Sequence, residues 1–199
     1  MSITLKTNKM KKIIIISILA VCSFSCKAQS IVAIEKLAEY IRGDIGIPES
    51  ITYLKDTNGI RDKYVGTWKG NYNGKNYELI FSKITTKISR TTQDGLAIRY
   101  LITNTGGAVL EDTRTEPDDS PYTVNSYYFG KSYFVLTYGG RQYQCGQRGE
   151  LFVMLPKNTN NTTMELFLTP SQDFILEENC PNGPAPQLFP KTKMSLTKQ

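Results

Sequence analysis

A chain of 199 residues with 24 basic and 18 acidic side chains is long enough for one domain with its own core. It contains no histidine, which excludes Ser-His-Asp and Cys-His nucleophilic centres in their usual forms and removes the commonest metal ligand. Neither Gly-x-Ser-x-Gly nor the phosphate-cradling Gly-x-x-x-x-Gly-Lys-Ser/Thr loop occurs.

Met10-Lys11-Lys12, the apolar run Ile13 to Ser25 and then Cys26 have the layout of a bacterial export signal. The run is short of the roughly 20 apolar residues that a spanning helix needs. The nine residues before Met10 add nothing to the signal, so Met10 is an alternative start. Residues 1–25 are therefore read as a signal peptide and set aside from the fold. Cleavage before Cys26 would leave an acylated cysteine and a membrane-anchored lipoprotein of the cell envelope; cleavage after Ala28 would release a secreted or periplasmic protein. Lys6, Lys9, Lys11 and Lys12 precede Cys26 and no acid does, so 20 basic and 18 acidic residues remain. With so small an excess, an electrostatic case for nucleic acid loses its support.

Residues 26–65 read as an N-terminal helix and linker. Ile31, Ile34, Leu37, Ala38 and Ile41 keep helical spacing, with Ser30 placed to cap the helix and Gly43 to end it. Its polar face is of mixed charge, which fits a helix lying on the domain better than one lying on a membrane. A short irregular or helical turn is expected at Asp56 to Tyr64.

Residues 66–199 read as an all-β domain. Short runs rich in Tyr, Phe, Ile, Val and Thr are separated by Asn73-Gly74, Asp94-Gly95, Gly106-Gly107, Gly130, Gly139-Gly140 and Asn158 to Asn161, which is hairpin punctuation. Tyr77, Leu79 and Phe81 alternate with polar neighbours, as do Met164, Leu166 and Leu168, the pattern of half-buried antiparallel strands. Strands are expected at 66–72, 76–88, 96–103, 107–113, 122–129, 131–138, 141–145, 149–155, 162–169 and 192–198, forming an antiparallel up-and-down β-barrel. The last strand would close the sheet after an irregular crossover rich in proline, Pro181 to Pro190; the alternative is a frayed tail.

With Cys22 inside the signal and Cys26 at its end, Cys145 and Cys180 are left as a pair, and in an oxidising compartment they join most simply as a disulfide. Such a loop would stabilise the fold by about 3 to 4 kcal/mol. The alternative is two free buried thiols. Paired carboxylates occur at Glu111-Asp112, at Glu116 with Asp118-Asp119 and at Glu177-Glu178, all beside expected turns where adjacent acids are simply solvated. A carboxylate-dependent hydrolase would need two of them facing one cleft; without that, no enzyme, cofactor or metal is expected.

Lys-Lys-Ile, the short apolar run, Ser-Cys-Lys-Ala-Gln, Tyr-Val-Gly-Thr-Trp-Lys-Gly and the closing Leu-Thr-Lys-Gln resemble an uncharacterised family of small Bacteroidota exported proteins, which implies lipidation at Cys26. Gly66-Thr67-Trp68 is also similar to the start of lipocalins and avidin-like barrels, implying a calycin-type barrel. In that superfamily the tryptophan plugs one end under a basic side chain from a late strand, for which Arg141, Arg148 and Lys193 are the candidates here. Interior aromatics Trp68, Tyr77, Phe81 and Tyr100 would then line a site for a small hydrophobic ligand. Tyr122, Tyr127, Tyr128, Phe129, Tyr133, Phe134, Tyr138 and Tyr143 would form one aromatic face, either a ligand groove or a tyrosine-rich core and surface. The other function consistent with the sequence is a structural or protein-interaction lipoprotein whose barrel is filled by its own side chains. Oligomeric state is not legible.

Overall fold

The alternating runs pair as expected, and their register decides which side chains meet inside. The computed structural model describes residues 30–43, 46–129, 132–171 and 175–199; the segment read as an export signal, and Cys26, lie outside them. The strands are β1 (Ser30–Ala33), β2 (Ile51–Lys55), β3 (Gly66–Tyr72), β4 (Lys75–Ile88), β5 (Thr91–Asn104), β6 (Val109–Asp112), β7 (Val124–Phe129), β8 (Tyr133–Gly139), β9 (Arg148–Met154), β10 (Thr163–Pro170) and β11 (Met194–Lys198). Helix α1 spans Leu37–Arg42.

Strands β3, β4, β5, β7, β8, β9, β10 and β11 form a closed eight-stranded antiparallel barrel. Closure occurs where Ala97 and Ile98 meet Asn125 and Val124, and where Thr197 and Lys198 meet Lys69 and Trp68. β11 is thus an ordered closing strand, with Met194 and Leu196 turned into the core, rather than a frayed tail. β2 and β6 also pair with β5, β2 in parallel at Tyr53 and Leu54 and β6 beyond Leu101.

Asn73 and Gly74 both take positive φ, 45° and 73°, and form the tight β3–β4 hairpin that Asn-Gly favours. Asp94-Gly95, expected as a turn, instead lies within β5; the chain turns at Ser89 and Arg90, with Ser89 at φ 56°. The physical reason is Asp94 itself, whose carboxylate accepts hydrogen bonds from the Tyr53 hydroxyl (2.7 Å), the Thr85 hydroxyl (3.0 Å) and the Asp56 backbone N–H (2.9 Å). Gly95 meanwhile leaves room for Ser126, whose Oγ accepts the Leu96 N–H at 2.7 Å.

The N-terminal segment departs from the single helix expected from Ser30. β-branched Ile31 and Val32 belong to edge strand β1, a 3-10 turn follows at Ile34–Lys36, and only then does α1 begin. Gly43 ends the helix as expected, its N–H bonding to Glu39 O. Ile34, Leu37, Ile51 and Leu54 form a small second core that holds this segment. Residues 141–145 are likewise not a strand. Gly146 at φ 85° and the buried Gln147 side chain, which accepts the Gln142 N–H, curl them into a turn and a 3-10 helix at Tyr143–Cys145.

Candidate functional site: a filled interior and an outer cleft at the mouth

Every interior position named from the sequence faces inward. Trp68, Tyr77, Phe81 and Tyr100 are all buried, and they belong to one continuous core with Leu79, Ile98, Phe134, Tyr138, Leu166 and Leu196. Trp68 is fully enclosed; its Nε1–H donates to Tyr64 O at 2.7 Å, tying the first barrel strand to the turn before it. The basic side chain over its indole is Lys198, 5.3 Å from the ring, with its Nζ donating to Lys63 O at 3.2 Å. None of the three candidates fills that role. Arg141 lies over Tyr122, Arg148 over Tyr143, and Lys193 pairs with Glu165 at 2.7 Å. Lys198 is the residue paired with Trp68 in the closing register, a neighbour that only the order of strands reveals.

The interior has a stopper that the sequence does not advertise. Phe189, from the proline-rich crossover between β10 and β11, is buried among Tyr77, Tyr100 and Tyr138, with ring centroids 6.1, 5.0 and 5.1 Å away. The Tyr77 hydroxyl donates to Leu188 O at 2.9 Å and the Leu168 N–H to Pro190 O at 2.7 Å, so the plug is bonded to the barrel wall on both sides. The Cys145–Cys180 disulfide, with Cα atoms 5.5 Å apart, fixes the start of the crossover to the β8–β9 connection. Gln147 and Gln187 side chains bond across the same gap, to Pro186 O and Gly146 O. Burial pushes the Tyr77 hydroxyl up to about 12 and those of Tyr100 and Tyr138 higher still, so these phenols stay neutral.

At the opposite end Arg61 is 2% exposed, its guanidinium 3.9 Å from Asp56 and 5.3 Å over the Phe134 ring. Burial lowers its pKa, against the opposing charges of Asp56, Asp94 and Glu35. The Asp56 carboxylate accepts the N–H groups of Ile60 and Arg61, which shapes the turn expected at 56–64. Asp94 is destabilised as an anion by burial, but its three hydrogen bonds and Arg61 outweigh this and hold it below the usual carboxylate range.

The expected single aromatic face is split three ways. Phe134 and Tyr138 are in the core. Tyr133 lies outside with Phe152 and Phe167, whose rings stack at 4.9 Å across β9 and β10. Tyr122 lies in the loop before β7, and Tyr143 opens the 3-10 helix after β8. The split follows from the pleat, since residues one apart on a strand point to opposite faces. The side chains of Tyr127, Tyr128 and Phe129 lie outside the described residues.

Tyr122 and Tyr143 wall an open cleft of about 540 Å³ between loop 113–123 and the turn after β8. Arg141 stacks on Tyr122 at 4.4 Å and pairs with Glu111 at 2.7 Å and Glu116 at 3.1 Å. The Ser120 hydroxyl and Arg141 hold the Glu116 carboxyl below its ordinary pKa. Asp112 pairs with Arg114 and Asp118 with Arg99. Of the acids suspected from sequence at 111–119, Glu111, Asp112, Glu116 and Asp118 are matched by arginines, and Asp119 lines the cleft. Of the acidic pair Glu177-Glu178, Glu178 is exposed. A second cleft, of about 260 Å³, shares Thr137 and Tyr143 with the first. A more polar one, of about 680 Å³, lies outside β3, β4 and β11 along the Lys69–Glu78 ion pair.

No curated protein and no solved structure matches this chain. A family model matches residues 10–174, from Met10 through β10 and short of Cys180, Phe189 and β11. The chain belongs to the family of unknown function DUF6705.

Proposed function

We propose that this is an exported protein, held at the cell envelope by acyl chains on Cys26, whose barrel is a filled scaffold that acts through its outer surface rather than by carrying a molecule inside. The observation that carries this reading is the occupancy of the interior: Phe189 stands among Tyr77, Tyr100 and Tyr138, where a calycin-type ligand would enter. Re-exposing a buried phenylalanine costs about 1.5 to 3 kcal/mol, and the disulfide and the Tyr77–Leu188 bond add to that cost. A ligand would have to offset all of it before gaining affinity. The positive n-region, the short apolar run and Cys26 support the address and the anchor. The reading assigns the protein no reaction.

Native mass spectrometry of the protein purified from its own host, beside its denatured mass, tests both parts. The expected result is a mass raised by covalent acyl chains and no further mass that denaturation removes. A small molecule lost on denaturation would overturn the filled-scaffold reading in favour of a ligand carrier. A polypeptide starting at Gln29 would replace the anchored protein by a released one.

A further inference from the structure

The cleft at Tyr122 and Tyr143 is built differently from the interior, and its chemistry selects a class of ligand. Each of the two rings has an arginine guanidinium against it, Arg141 at 4.4 Å from the Tyr122 centroid and Arg148 at 4.7 Å from that of Tyr143. That fixes the ring orientations in advance and leaves the rings bordering the cleft. Gly139 keeps the floor low beneath Tyr143: a Cβ there would come within 3.1 Å of the ring.

Charge argues against an ionic ligand. Arg141, the cation of the larger cleft, is already matched by Glu111 and Glu116. An incoming anion would meet Asp119, the carboxylate that lines the cleft, and an incoming cation would meet Arg141. What remains for a neutral ligand is aromatic surface and the exposed Thr137, with Asn125 in the wall behind them, whose amide oxygen Oδ1 is buried with no hydrogen-bond partner among the described residues. An unused buried acceptor is costly unless something donates to it. Flat aromatic rings combined with neutral hydroxyl and amide groups match a sugar, whose C–H face stacks on a ring while its hydroxyls bond around the edge.

Size and continuity sharpen the class. The larger cleft, about 540 Å³, falls in the range of small-molecule sites. Because Tyr143 and Thr137 also line the adjoining cleft of about 260 Å³, the two form one track with Tyr143 as the partition. We propose that this track binds a neutral oligosaccharide of at least two sugar units, one stacked near Tyr122 and the next across Tyr143. The inference rests on the outer-surface reading, but its test reads the cleft alone, whereas an interior ligand would appear in the mass measurement whatever the cleft does.

The test is affinity electrophoresis of the full protein through gels containing soluble neutral polysaccharides, namely β-glucan, α-glucan, mannan, xylan and galactan, with polygalacturonate as the anionic control. The expected result is retardation by at least one neutral glycan. Tyr122→Ala and Tyr143→Ala should each weaken it at least about tenfold, while Tyr143→Phe, which keeps the ring, retains most of it. Trp68 is the only tryptophan and is fully buried in the core, so unchanged tryptophan emission certifies that each variant is folded. Retardation by no neutral glycan, preference for polygalacturonate, or retardation unchanged in both alanine variants would overturn the proposal.

Discussion

Phe134 and Tyr138 stand four residues apart on β8, and the barrel is closed around each by different chemistry. Around Phe134 an edge-on Tyr64 ring is backed by an ionic cluster: Arg61 lies over the Phe134 ring, with Asp56, Asp94 and Glu35 arranged about the guanidinium. Around Tyr138 it is apolar and covalent: Phe189 packs edge-on against the ring, and the crossover that carries Phe189 is fastened by Cys145–Cys180. The comparison teaches that one interior can be sealed by two independent devices, one sensitive to protons and one to reductants. Each should fail first under its own condition.

The largest expected effect is at the apolar end. Phe189→Ala should cost about 3 to 5 kcal/mol of stability, measured by urea unfolding, because the three tyrosines around it are held apart by the barrel wall and cannot collapse into the gap. A cost under about 1 kcal/mol would mean that the crossover is not a plug. Replacing both Cys145 and Cys180 by serine should cost about 3 to 4 kcal/mol. Hydrogen exchange should rise in the crossover and in residues 141–147 while β2 and the turn at 56–64 stay protected.

The ionic end is broken by acid. The Asp94 pKa is depressed in the folded state, so its contribution is complete above the unfolded value of about 3.9 and is lost as pH falls through the folded value. Hydrogen exchange followed from pH 6 downward should therefore show β2 and the 56–64 turn loosening below about pH 4, with the Phe189 crossover unaffected. Asp94→Asn should cost about 1 to 3 kcal/mol and remove most of that acid step; simultaneous loosening of both ends would dissolve the distinction. The smallest effect is at Lys198, where replacement by methionine removes the cation over Trp68 and should cost about 0.5 to 1 kcal/mol, visible as a shift in Trp68 emission.

What the sequence made legible follows local rules. Period-two alternation located most barrel strands, Asn73-Gly74 located a hairpin, and the spacing of Met194 and Leu196 located the closing strand after a proline-rich gap. The two remaining cysteines pair as expected. The misplaced features depend on partners distant in the chain. Asp94-Gly95 looks like a turn until Tyr53 and Asp56 occupy the carboxylate, and β2 is too short to read as a strand before it lies along β5. Lys198 reaches Trp68 only through barrel closure. Phe189 left one faint signal, a Leu188-Phe189 pair in an otherwise polar, proline-rich stretch. The cleft is half legible: Tyr122 and Tyr143 stand out in the aromatic run, but their separation from Phe134 and Tyr138 does not.

The filled interior is tested most directly with a fluorescent polyene fatty acid titrated into the native protein while Trp68 emission is recorded. Trp68 is the sole tryptophan and is enclosed in the barrel, so a probe entering the interior must quench it. The account predicts no saturable quenching in the native protein. Saturable quenching of Trp68 at micromolar probe would contradict it and show that the barrel opens to carry a ligand.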